Sequence, residues 1–231
     1  MRYAQPRYEV QKGDDTITNT YKQSIYDTLK EQGYNEIAIG ALMGNMEAES
    51  GCIPNRLQGD FTEGYKKSAE YTEAVNNGSI SRETFMNDGK GYGLCQWTYP
   101  TRKAKLYDMA KETGFGIGSY ILQLYFLEQE LTCDFPLVGS ALKNATNLYD
   151  AVAIVLRKFE MPYDQSDAVC TQRTLLAQNC LNSVSKNSTT KPIEVVEETQ
   201  KYRTFTIQIT LKQDEDGFKI TDFKTEERFD I

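Results

Sequence analysis

Apolar residues recur at helical spacing through most of the first 184 positions and then change to strict alternation. The first 18 residues lack either pattern and read as an irregular polar arm. Ile25, Leu29, Tyr21 and Tyr26 mark a helix over 19–32, which Gly33 stops in the manner of a C′ glycine. Asn35 is suited to capping a second helix, Glu36–Ser50, which Gly51 ends. The stretch 52–91 is long and mixed, with turn signals at Gly59, Gly64, Asn77-Gly78 and Asp88-Gly89 and short helices expected over 62–76 and 81–87. Beyond Pro100 helices are expected over 101–113, 119–131, 135–145, 148–159 and 166–181, with Met161-Pro162 breaking the pattern. Residues 185–192 are rich in Ser, Thr, Asn and Lys and read as a linker. Phe205, Ile207, Ile209 and Leu211 then alternate with polar residues, Asp214–Gly217 forms a turn, and 218–223 returns. The expected fold class is mainly α, with a C-terminal β-hairpin segment over 193–231 that is either part of a larger β-rich domain or an open edge for strand addition by a partner.

Within Glu36–Ser50, one position disturbs the pattern. At about 100° per residue, Ala38, Leu42, Met46 and Glu49 share a stripe, while Glu36 and Glu47 fall together on the far side, where charge is readily solvated. Glu49 thus lies at the edge of the buried face in the last turn of a helix. Partial burial and the negative end of the helix dipole both favour a neutral carboxyl, the state a general acid needs. The plainer reading is an edge glutamate whose head reaches water.

Composition narrows the chemistry. The chain of 231 residues carries a net charge of -7, which argues against nucleic acid as a partner. It has no histidine. Ser-His-Asp and Cys-His hydrolases are therefore excluded, and a catalytic zinc site is disfavoured, so neither metal nor cofactor is expected. The five cysteines form no CxxC pair and read as ordinary buried residues, with at least one thiol left over. No run of about 18 apolar residues marks a membrane span, and the polar N-terminal stretch does not read as a signal peptide.

The nine residues Gly91–Tyr99 concentrate Tyr92, Trp97, Tyr99, Gln96 and two glycines. Aromatic faces suit the C–H faces of sugar rings and an amide suits their hydroxyl or acetamido groups. An aromatic turn buried in the core fits the same residues equally well.

Gly44-Asn45-Met46-Glu47-Ala48-Glu49-Ser50-Gly51 and Gly91-Tyr92-Gly93-Leu94-Cys95-Gln96-Trp97-Thr98 together resemble the phage tail lysozyme family. The resemblance continues through Tyr125–Leu131 and Phe159–Ser166 and covers about residues 19–184. It implies a lysozyme-like, α-rich catalytic domain that cleaves peptidoglycan glycan strands, at the β-1,4 bond between N-acetylmuramic acid and N-acetylglucosamine. The family pattern puts the catalytic acid on Glu49, the residue the helix-face count reached separately. It lines the cleft with Tyr92, Gly93, Gln96 and Trp97, and Tyr99 is added as a sugar-contact candidate. Cys95 stands where the family usually has a small apolar residue and Cys52 where it often has a larger one.

A second carboxylate is sought among Asp60, Glu63 and Asp88, all in the region expected to form the opposite wall. If none faces Glu49, a lytic transglycosylase using the muramyl 6-hydroxyl is the alternative. A non-catalytic wall-binding or tail module is the rival from outside enzymology. The implied location is outside the cytoplasm at the cell wall, on a virion or secreted and anchored, with tail, baseplate or conjugation-apparatus proteins as partners of the C-terminal segment.

Overall fold

The structure, a computed structural model, describes residues 12–60, 66–184, 204–214 and 217–228; for 12–17 and the two strands it describes the backbone alone. Glu63, the linker 185–192 and residues 193–203 lie outside the described residues. The chain divides into two compact units at Thr189/Thr190. The first contains nine α-helices among the described residues: α1 Lys12–Glu31, α2 Glu36–Ser50, α3 Lys66–Asn76, α4 Arg82–Asn87, α5 Pro100–Thr113, α6 Tyr120–Gln129, α7 Pro136–Lys143, α8 Leu148–Val155 and α9 Asp167–Ser183. In the second, Thr204–Asp214 pairs antiparallel with Gly217–Arg228, with a register shift between Thr210 and Leu211. The returning strand is thus longer than the alternation over 218–223 indicates. No described helix is long and apolar enough to cross a membrane.

Three corrections to the sequence reading have physical reasons. Helix α1 begins at Lys12, inside the expected irregular arm; once a helix is nucleated, each added residue gains a backbone hydrogen bond without needing an apolar stripe. The expected helices over 119–131 and 148–159 both end in π-helical turns, Glu130–Asp134 and Leu156–Glu160. Each turn runs into a proline. The last backbone N–H before it, from Phe135 or Met161, donates across the wider turn to Glu130 (2.7 Å) or Leu156 (2.8 Å).

Helix α2 matches its expected bounds, with the Asn35 side chain accepting from the Ala38 N–H and Gly51 closing it in the left-handed conformation (φ 67°). It is not one-sided, however. Ala38 through Met46 are all buried, so α2 is the central helix, enclosed by α1, α8 and α9. The far side carrying Glu47 is consequently covered. The Glu47 side chain is 21% exposed and pairs with the Lys22 ammonium at 2.9 Å. Periodicity cannot distinguish solvent from a charged neighbour on a covering helix.

Gly40 and Gly44, one turn apart on α2, let α9 approach. A Cβ at Gly44 would stand 2.6 Å from both the Ala177 Cβ and the Arg173 carbonyl oxygen. Gly44→Ala gains about 1 kcal/mol of helix propensity. Overpacking against backbone atoms costs more, about 1–3 kcal/mol, so a net loss is expected, read as a lower denaturant midpoint. A gain in stability would show that α2 and α9 are not in close contact there.

Candidate active site

Two turns hold the site together. Ser50 follows Glu49 and its hydroxyl donates to the Leu94 carbonyl at 2.9 Å, so the Glu-Ser-Gly end of α2 is fastened to the Gly-Tyr-Gly-Leu segment. Arg56 donates to the Ser50 carbonyl at 3.1 Å. The buried Gln123 of α6 accepts from the Leu94 N–H at 2.8 Å and donates to the Pro54 and Ile117 carbonyls at 2.6 and 2.7 Å. Gly93, at φ 80°, is pressed against that amide: a Cβ would stand 2.6 Å from the Gln123 Oε1. Only glycine combines this conformation with this approach.

The segment's aromatics divide by depth. Tyr92 and Trp97 are fully buried. Tyr92 is hydrogen-bonded to Thr72 at 2.6 Å, and Trp97 donates from Nε1 to Glu130 at 2.8 Å and packs on Phe126. Their rings are core, the plainer of the two sequence readings, and offer no face for a sugar. Gln96, at φ 44°, donates to the Arg56 and Gly93 carbonyls at 3.1 and 3.0 Å. Tyr99, capping α5, is 61% exposed.

Glu49 is 21% exposed and accepts from Arg173 of α9 at 2.5 Å. The same guanidinium donates to the buried Asn45 amide oxygen at 2.9 Å, one turn earlier on α2. The α2–α9 contact thus places Glu49 directly against a guanidinium. The carboxyl pushed towards its neutral form is Glu160, at the end of the second π-helical turn. Burial and the nearby negative charge of Glu49 push Glu160 up to about 8, against the opposing pull of Arg102 and Arg173. Glu130, fully buried, adds to the repulsion. Arg102 grips Glu130 through two hydrogen bonds of 2.6 and 2.7 Å and stacks over Phe159, 4.5 Å from the ring centre.

The cluster thus contains three carboxyls (Glu49, Glu130, Glu160) and two guanidiniums (Arg102, Arg173). The carboxyls outnumber the guanidiniums by one, and Glu160 is the carboxyl pushed towards its neutral form. Desolvation disfavours its charged form first, and the charge of Glu49 second. Cys95 lies within the same field, its thiol pushed well up by burial and by Glu160.

Sequence reasoning missed Glu160 and Arg173. The signal for Glu160 was a glutamate directly before the helix-breaking Met161-Pro162, within a stretch already quoted for its resemblance. For Arg173 it was a lone cation in an otherwise neutral run of α9.

The other carboxylates considered from sequence have bonds elsewhere. Asp60 is buried and its Oδ2 accepts from the Ser68 N–H at 2.6 Å, while its Oδ1 is buried without a partner. Asp88 accepts from the Lys103 ammonium, the Tyr71 hydroxyl and the Lys90 N–H. Among the described residues one group has potential metal-ligand spacing: a Glu47 oxygen and the Cys52 and Cys180 thiols, all within 4.8 Å of one another.

A search among curated proteins finds no match. The family model for phage tail lysozyme matches residues 20–183, which includes every residue of the carboxyl–guanidinium cluster. The chain belongs to the phage tail lysozyme family.

Proposed function

We propose that this chain is an N-acetylmuramidase, cleaving the β-1,4 bond between N-acetylmuramic acid and N-acetylglucosamine with Glu49 and Glu160 as its two working carboxyls. Its family is one of lysozyme-like peptidoglycan hydrolases, and action on the wall belongs outside the cytoplasm. The observation carrying the finer reading is a pair of carboxyls in unlike surroundings, one against Arg173 and one desolvated within the field of the first. Glycan hydrolysis needs one carboxyl with a proton to give and one ionised to stabilise or capture the oxocarbenium-like sugar.

Glu160 holds the proton in the resting protein and passes it to Glu49, which gives it to the glycosidic oxygen as the bond breaks. The reverse assignment, with Glu160 the donor and Glu49 the stabilising carboxylate, is favoured by the Arg173 ion pair. Aryl glycosides of the substrate decide between them, because a good leaving group needs no acid. The variant lacking the donor keeps most of its activity on such a substrate, and the variant lacking the stabiliser loses it on every substrate.

Fragments released from purified peptidoglycan test the reaction itself. Reducing muramic acid ends are expected in the mass spectrum. Anhydro-muramic ends would convert the assignment to a lytic transglycosylase, and intact glycan with no released fragment would leave a wall-binding module. The pH profile gives a further check. Glu160 must retain its proton, so lysis should fall as pH rises through about 8. Stability follows the same sign: the folded state binds the proton more tightly than the unfolded chain, so this contribution is full below the ordinary glutamate range and lost towards pH 8. Glu160→Gln should flatten that part of the stability curve. An unchanged curve would mean that Glu160 is not the proton holder.

A further inference from the structure

Cys52 and Cys180 belong to opposite sides of the α2–α9 contact. Residues pair along it in order: Asn45 with Arg173, Gly44 with Ala177, and the Met43 carbonyl with Cys180. Cys52 joins this line because the chain doubles back after α2. Gly51 and Cys52 both take left-handed backbone conformations (φ 67° and 58°), and the Cys52 N–H closes the turn onto the Met46 carbonyl at 3.3 Å. A non-glycine residue is rarely placed so. The turn carries the Cys52 thiol to 3.7 Å from the Met43 carbonyl, and the Cys180 thiol lies 4.0 Å from the same oxygen. The two sulfurs are within 4.8 Å of each other, and both residues are buried.

We propose that Cys52 and Cys180 form a disulfide when the protein folds in an oxidising exterior, stapling the helix that carries Glu49 to the helix that carries Arg173. The third member of the cluster does not make it a metal site. The Lys22 ammonium pairs with Glu47 Oε1 at 2.9 Å, and although Oε2 is left without a partner, two sulfurs and one carboxylate fall short of the four ligands of closed zinc sites. A disulfide needs only the two sulfurs. In the folded protein, hydrogen bonding to Cys180 and burial hold the Cys52 thiol well above its ordinary value, so exchange belongs to the stage before α9 closes on α2. A small-molecule disulfide such as oxidised glutathione supplies the oxidant. The thiolate of one cysteine attacks it and expels one glutathione thiolate; the other cysteine then displaces the second. Two thiols become one S–S bond, and both electrons and both protons leave on two molecules of reduced glutathione.

The loop so closed spans most of the catalytic unit, so the unfolded chain loses much freedom and the folded one gains correspondingly. The test uses the full chain with the exposed Cys133 replaced (Cys133→Ser) to prevent mixed disulfides. After refolding with oxidised glutathione, the mass should fall by about 2 Da, and a tryptic map should join the peptide ending at Arg56 to that ending at Lys186. Reduction should lower the melting temperature by about 10 °C. Cys52→Ser and Cys180→Ser should each abolish the mass loss. Free thiols at both positions after oxidative refolding, or a bridge between other cysteines, overturn the proposal. So does zinc retained at one ion per chain with both thiols reduced. None of these readouts depends on glycan cleavage.

Discussion

Glu49→Gln is expected to slow lysis of purified peptidoglycan by about 10²–10⁴-fold while leaving wall binding and folding intact. The magnitude is that of a lost general acid or base. The amide keeps the shape of the side chain, and its oxygen still accepts from Arg173, which also remains bound to Asn45. What disappears is the carboxyl itself, along with its charge beside Glu160. Without that charge Glu160 binds its proton less tightly, so any remaining activity should lose its alkaline limb at lower pH than in the wild type. Turbidity loss of wall suspensions measures the rate, and co-sedimentation measures binding. Residual lysis above about a tenth of wild type would remove Glu49 from the chemistry. Loss of binding together with lysis would instead point to a collapsed α2–α9 contact.

Arg102→Met is expected to destabilise the catalytic unit by about 3–5 kcal/mol, the usual cost of leaving one partner of a buried ion pair uncompensated. Glu130 has no exposed side chain and is gripped at both oxygens by this one guanidinium. With Arg102 gone, Glu130 keeps the Trp97 N–H as a donor, which is too little for a desolvated charge. The guanidinium also covers Phe159, but the methionine stem replaces much of that contact. A double variant, Arg102→Met with Glu130→Met, should recover most of the loss, because removing both charges removes the desolvation cost with them. Denaturant midpoints of the two variants check this: a harmless single variant, or a double variant as unstable as the single, would contradict the buried-pair account. Arg102 also opposes the retention of the Glu160 proton. Its loss should therefore move the alkaline limb of activity above about 8 in whatever fraction remains folded.

Local rules made much of this molecule legible. Caps and stops are short-range bargains between a side chain and a few backbone groups. Asn35, Ser81, Ser119, Asn147 and Ser166 each cap a helix, and Gly51 and Gly114 end helices in the left-handed conformation. Helical spacing likewise identified α2, and the shift to alternation identified two strands. The motif stretches identified the family and singled out Glu49.

The surroundings of that glutamate were not legible, because each depends on residues far away in the chain. Arg173 reaches Glu49 across 124 positions and Trp97 reaches Glu130 across 33. Glu47 appeared solvated because periodicity sees one helix at a time, yet α1 delivers Lys22 to it. Trp97 appeared available to a sugar because its chemistry permits that, yet packing buried it. Glu160 was unremarkable as one more glutamate in a charged run. The sequence by itself determined where capped helices such as α2 start and stop and which segments carry the family motifs, since those follow from backbone hydrogen bonding and side-chain shape nearby. Only the tertiary structure decided which carboxyl meets a guanidinium and which is desolvated. Proton affinity depends on the local dielectric and on summed charges, and both are set by whatever the fold packs alongside.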